Sequence, residues 1–193
     1  EREVYRQHGL SRKPWNIFSE ASIGKAYLTD LGIQPFLKRH SDFPKDAIGK
    51  AMTAYYGGRT EVRIRLQPTE VIYTDFTSEY PTVNALMNIQ ELLLAEKIDV
   101  QPCLEEVQEL IETISLKDLL IKQTWPLLRC FVKIIPDGDL LPIRTRYGEQ
   151  SAATNIGLNY AYSHLGVWYC LADVLASKLL TGKTPQFIDA FKL

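Results

Sequence analysis

The chain has 193 residues, a length that suits one ordinary domain or two small ones. Hydrophobic residues make up 46% and charged residues 23%, which excludes disordered, collagen-like and coiled-coil classes, and no apolar run reaches the roughly 18 residues of a membrane span. The formal charge of -1 hides an uneven distribution: residues 1–66 hold 12 Lys and Arg against 7 Asp and Glu, residues 67–118 hold 2 against 11, and residues 119–193 hold 8 against 5.

The basic bias at both ends could face a phosphate backbone, but solvated faces are the commoner meaning of such a pattern. Glu1 opens the chain without Met or a signal-peptide pattern, so a segment of a longer protein is expected. Cys103, Cys130 and Cys170 are widely spaced and form no CxxC pair, which predicts reduced, packed thiols of a cytoplasmic protein. His8, His40 and His164 are scattered as well, so the spacing implies no zinc site.

In chain order, Ser19 followed by Ile23, Ala26, Tyr27 and Leu28 predicts a capped helix that Gly32 stops. Pro44 leads into a second helix with Ala47, Ile48, Ala51 and Met52 on one side. Val62, Ile64 and Leu66 then alternate with Glu61, Arg63 and Arg65, which predicts a half-buried strand; Gln67–Thr69 is the turn, and residues 71–76 a second strand paired with it. Helical spacing returns from Pro81 to Ile98 and again from Leu104 to Ile114, where Val107, Leu110 and Ile111 face inward and Glu105, Glu106, Glu109 and Glu112 outward.

Ser115 is expected to cap a short helix ending near Pro126. Residues 127–135 and 140–146 read as a β-hairpin around Pro136-Asp137-Gly138-Asp139. Ile156, Leu158, Tyr160 and Tyr162 form a fifth strand, and Leu165, Trp168, Tyr169, Ala172, Leu175, Ala176 and Leu179 a helix stopped by Gly182. Five strands without regular βαβ alternation predict an α+β fold, a mostly antiparallel sheet flanked by helices.

Chemistry concentrates at Asp75-Phe76-Thr77-Ser78-Glu79-Tyr80-Pro81-Thr82. A carboxylate there could hold a hard cation such as Mg²⁺, which prefers oxygen ligands and keeps several waters. Backbone N–H groups of the turn and helix start could cradle phosphate oxygens. The plainer reading is an Asp that caps a turn before a helix.

This segment resembles motif A of the family B DNA polymerases, D-x-x-S-L-Y-P-S. Asp75, Ser78, Tyr80 and Pro81 match, Thr82 is a conservative change, and Glu79 replaces the usual Leu. Upstream, Tyr55-Tyr56-Gly57-Gly58 is similar to the Y-x-G-G motif that joins exonuclease and polymerase domains, and Arg59 follows it. The stretch from Ala21 through Met87 looks like polymerase-like proteins of bacterial mobile elements.

The resemblance implies template-directed nucleotidyl transfer in DNA replication, with DNA primer–template and dNTP as partners and no membrane. Asp75 would be a metal ligand of a two-Mg²⁺ site, Phe76, Ser78 and Tyr80 would line the nucleotide, and Tyr55, Gly57, Gly58 and Arg59 would contact DNA. It also implies residues 1–58 as a helical linker region ending in Y-x-G-G, and residues 59–193 as a partial palm.

Two further family motifs are not legible. Arg146-Tyr147-Gly148 shares only the end of the fingers motif, and Asp137-Gly138-Asp139 is a D-x-D that an ordinary turn also favours. The expectation is therefore a polymerase fragment inactive alone, its uncovered apolar surfaces prone to self-association. The alternative is a polymerase-derived DNA-binding domain without catalysis; a structural domain with chance similarity stands behind both. Thr181-Gly182-Lys183-Thr184 lacks the first Gly of a P-loop, which would fall at Ser177. Trp125, Trp168, Tyr160, Tyr162 and Tyr169 are either a base-stacking platform or core, and core is the commoner meaning of their spacing.

Overall fold

The computed structural model describes residues 3, 7–59, 61–146 and 154–193. The fold is α+β, with a four-stranded antiparallel sheet and a separate two-stranded antiparallel sheet. The chain divides into two compact units, one of residues 1–43 with 91–98 and one of residues 44–90 with 99–193. No helix among the described residues is long and apolar enough to cross a membrane.

The smaller unit carries α1 (Glu20–Asp30) and α2 (Phe36–Arg39). Ser19 caps α1 as its sequence predicts, accepting from Ser22 N–H at 3.3 Å, and Gly32 follows the helix at φ +75°. Ala26, Leu10 and Phe43 are its buried apolar residues, and Arg39 Nη2 donates to Leu94 O at 3.0 Å.

In the larger unit α3 (Lys45–Ala54) begins after Pro44 as expected. Its inward residues are Ala47 and Ala54; Met52, placed on the same side by the sequence reading, is exposed. The helix predicted from Pro81 to Ile98 is two, α4 (Glu79–Leu86) and α5 (Ile89–Leu94), because Asn88 turns left-handed at φ +55°. Next come β1 (Gln101–Pro102) and α6 (Leu104–Thr113), in which Val107 and Ile111 are buried and the four glutamates exposed. Instead of one Ser115-capped helix, two 3₁₀ segments follow, Asp118–Leu120 and Lys122–Leu128. Asp118 is the acceptor there, taking Ser115 N–H at 2.8 Å and Ser115 Oγ at 2.6 Å.

The remaining elements are β2 (Cys130–Ile135), β3 (Asp137–Arg146), β4 (Thr154–Tyr162), β5 (Val167–Cys170), α7 (Leu171–Thr181) and β6 (Gln186–Lys192). The four-stranded sheet runs β1-β6-β2-β5, and β3 pairs with β4 alone. The expected hairpin between β2 and β3 is not formed, because β5 and β6 occupy both edges of β2. Trp168 and Tyr169, read as helical, lie in β5, where Lys133 and Val132 oppose them. The expected strands at 62–66 and 71–76 are absent: both stretches are exposed coil with no ladder, and Leu66 sits at φ +56°.

Side chains of β2 alternate between two covered faces. Val132 and Ile134 are fully buried in the cluster that includes Val107 and Ile111 of α6 and Leu171, Val174 and Leu175 of α7. On the opposite face Phe131 stacks on Phe191 at 5.1 Å, Trp168 meets Phe191 edge-on at 5.5 Å, and Lys50 of α3 sits 5.1 Å from the Trp168 ring. Cys103, Cys130 and Cys170 are free thiols, and burial pushes Cys130 and Cys170 up to about 12.

Lys178 of α7 ties the two helices on the first face together. Its ammonium donates to Ile111 O, to Glu112 O at 3.3 Å and to Ile114 O at 3.4 Å, the carbonyls that α6 leaves unpaired at its C-terminus. Lys178→Met keeps the aliphatic stem and removes these donors. It is expected to lower stability by about 1–3 kcal/mol, read as a lower midpoint in urea at unchanged slope. An unshifted midpoint would show that water replaces the ammonium without loss.

Candidate nucleic-acid interface

The Y-x-G-G segment leaves the C-terminus of α3 and lies against β5, β3 and the start of α7. Its two tyrosines divide the work. Tyr56 stacks on Tyr169, ring centroids 5.1 Å apart and 8° from parallel, and the Arg144 guanidinium covers its ring at 4.4 Å. Tyr169 in turn donates to Pro142 O at 3.2 Å; burial and its hydrogen bond with Tyr56 raise the Tyr169 phenol. Arg144 Nη2 also donates to Tyr55 O. Tyr55 is 66% exposed.

Gly57 adopts φ +78°, a conformation that strains any residue with a Cβ. A Cβ on Gly58 would stand 3.6 Å from Tyr80 Oη. The Tyr80 hydroxyl therefore lies over Gly58. The fold brings Gly58 and Tyr80 together across a stretch between α3 and α4 in which no described residue lies in a helix or strand.

Arg59 is bracketed by two acids. Its Nε lies 3.3 Å from Glu61 Oε1, and it lowers the carboxyl of Asp173. Asp173 occupies the third position of α7 and accepts from the N–H of Cys170, the N-cap, in the manner of a capping box. Burial outweighs both effects and pushes its carboxyl up to about 6. Glu61 accepts from Leu158 N–H at 3.1 Å and from Arg63 Nη2 at 2.9 Å; the Leu158 bond first, then Arg59 and Arg63, hold its carboxyl below the usual range.

The Asp75–Thr82 segment is open. Asp75, Phe76 and Tyr80 are exposed, and no hydrogen bond or ion pair joins Asp75 to another described side chain. Ser78 is the N-cap of α4 with φ +56°, unusual for a residue with a Cβ, and its side chain makes no capping bond. Glu79 and Tyr80 are the first residues of that helix, and Pro81 follows in its first turn.

Asp75 offers one exposed carboxylate, a donor type that suits a hard cation keeping most of its water, while the adjoining Phe76 carbonyl accepts from Glu79 N–H at 3.3 Å. Among the described residues no group of three His, Cys, Asp or Glu side chains is arranged to hold a metal. Asp139 of the D-x-D is fully buried at the irregular start of β3, where its Oδ2 accepts from Asp137 N–H at 2.8 Å and its Oδ1 has no partner among the described residues. Tyr147 and Gly148 of the fingers-like tripeptide lie outside the described residues. Trp168 and Tyr169 are core and Trp125 donates to Leu119 O at 2.9 Å, while Tyr160 and Tyr162 of β4 are exposed.

No family model, curated protein or solved structure matches this chain.

Sequence reading did not single out Tyr56, Arg144, Glu61 or Asp173. Only the position of Asp173 three residues into a helix carried a signal, and that helix start was misplaced.

The Asp173 carboxyl titrates higher in the folded chain than in the unfolded one. Its favourable contribution is therefore complete below about pH 4 and is lost as pH rises through 6. Asp173→Asn retains an acceptor for Cys170 N–H and removes the charge. The variant should match the parent chain near pH 4 and exceed it by about 1–3 kcal/mol above pH 7, measured by urea unfolding across pH. A pH-independent difference would refute this assignment.

Proposed function

We propose that the chain is a nucleic-acid-gripping portion of a family B-like DNA polymerase, containing the Y-x-G-G segment and the motif A half of a palm, and that alone it binds DNA without extending it. The observation that carries this reading is the Tyr80 hydroxyl over Gly58, which joins the two motifs of the resemblance in one place. Arg59 lies on the same strip, and Tyr55 presents an exposed ring beside it. The left-handed Ser78 supports the reading as well, since strained backbone gathers at functional turns.

In this reading Tyr55, Gly57, Gly58 and Arg59 meet the template backbone, and such contacts fix position without reading sequence. Ser78 and Tyr80 flank the nucleotide, Tyr80 under its sugar. Asp75, with the Phe76 carbonyl, holds Mg²⁺, which when bound would neutralise charge on a phosphate oxygen. The burial of Asp139 favours a second reading, in which the domain grips DNA and performs no transfer.

Fluorescence anisotropy with a primed oligonucleotide tests the binding claim. Affinity should fall steeply with salt, and Arg59→Ala should weaken binding uniformly across sequences and reduce the salt slope by about 1. Absence of salt-sensitive binding overturns both readings. In the full-length protein, loss of Mg²⁺-dependent incorporation in Asp75→Asn supports the polymerase; DNA binding without incorporation in the unaltered protein leaves the binding domain.

A further inference from the structure

Residues 61–65 run beside the outer edge of β4, an edge that pairs with no other strand among the described residues. Between them lies an open cleft of about 350 Å³, within the size range of small-ligand sites. Arg63 and Arg65 line one side, and Asn155, Leu158 and Asn159 of β4 line the other. Among the described residues one hydrogen bond spans the gap: Glu61 Oε1 accepts from Leu158 N–H at 3.1 Å and pins the segment there.

The charges in and beside this cleft do not balance. Arg59 and Arg63 share the one carboxylate of Glu61, at 3.3 and 2.9 Å. Arg65 pairs with no acid among the described residues, and Arg59 also feels Asp173, so Glu61 is the one carboxylate that lines the cleft beside Arg63 and Arg65. The Arg63 side chain is 84% exposed. Guanidinium groups are weakly hydrated and match phosphate oxygens two at a time, and the two asparagines offer both donors and acceptors to sugar or base edges.

We infer that this cleft holds the phosphodiester backbone of a single DNA strand, with Arg63 and Arg65 on the phosphates and Asn155 and Asn159 facing its sugars and bases. The inference rests on the DNA-binding reading above and extends the strand's path from Arg59 along β4. Glu61 competes with the phosphates for the guanidinium groups and so limits affinity.

The test is the salt dependence of oligo(dT) binding by the 193-residue chain, with far-UV circular dichroism confirming that each variant folds. The double variant Arg63→Ala/Arg65→Ala should lose two phosphate contacts and flatten the slope of log K against log salt by about 1.4. Glu61→Gln keeps an acceptor for Leu158 N–H and removes the competing charge, so affinity should rise several-fold. If the arginines merely hold Glu61 in place, Glu61→Gln will leave affinity unchanged or lower it, which overturns the inference. An unaltered slope in the double variant, with Arg59→Ala still weakening binding, overturns it too and leaves the DNA-binding reading standing. Unaltered chain that binds no oligonucleotide, primed or single-stranded, removes that reading itself.

Discussion

Val132 and Ile134 have no accessible surface because β2 is enclosed on four sides, by β5 and β6 along its edges and by helices over both faces. A strand placed this way satisfies its backbone groups on both edges and buries alternate side chains in both directions. The positions of the other elements follow from it. Its pairing with β5 sets where Tyr169 stands, with Val132 opposite. Its other face, through Phe131, Phe191 and Trp168, makes the surface on which Lys50 of α3 rests. Because α3 is held there, the chain that leaves it at Tyr55 has one place to go.

The Tyr56–Tyr169 stack turns that packing into a site. It fixes one tyrosine of the motif in the core margin and leaves its neighbour exposed, so the glycines are presented on a rigid base. Arg144 serves twice, covering the Tyr56 ring and donating to Tyr55 O. A guanidinium engaged on both its face and its edge is a poor candidate for gripping phosphate. In the proposed reading Arg63 and Arg65 are better placed for that: Arg63 shares Glu61 with Arg59, and Arg65 pairs with no acid among the described residues. The electrostatics thus separate an arginine engaged in packing from arginines left exposed beside it.

Features set by local chemistry were legible in the sequence. Ser19, Pro44, Gly32 and Gly182 mark real helix ends, and the periodicity of 104–113 names its buried residues. Features set by competition between distant segments were not. Pro136-Asp137-Gly138-Asp139 has the residues of a tight hairpin, yet β2 takes β5 and β6 as partners and the chain crosses to another sheet. Leu165, Trp168, Tyr169 and Ala172 fit a helical period, but Trp168 and Tyr169 are consecutive residues facing opposite sides of a strand. The short β1 and the terminal β6, with its irregular register opposite Lys133 and Ile134, gave no periodic signal. At the site, Tyr55, Gly57, Gly58, Arg59 and Tyr80 could be named from motifs. Glu61 and Asp173 could not, because their importance comes from Leu158 and Arg59, which only the fold brings to them.

The stretch from Glu61 to Phe76 has the alternation of a strand pair and forms none, while β4 keeps an open edge beside it. Charged side chains near an open edge also discourage pairing between molecules, so protection alone could account for an arginine there. It does not account for the arrangement. Protection is served by charge of either sign, and opposite signs would avoid crowding like charges. Here Arg63 and Arg65 share one cleft, Arg59 stands next to it, and the single acid is spent on pinning the segment to Leu158. Like charges held together in the free chain raise its energy by repulsion, and an anion relieves that repulsion on binding.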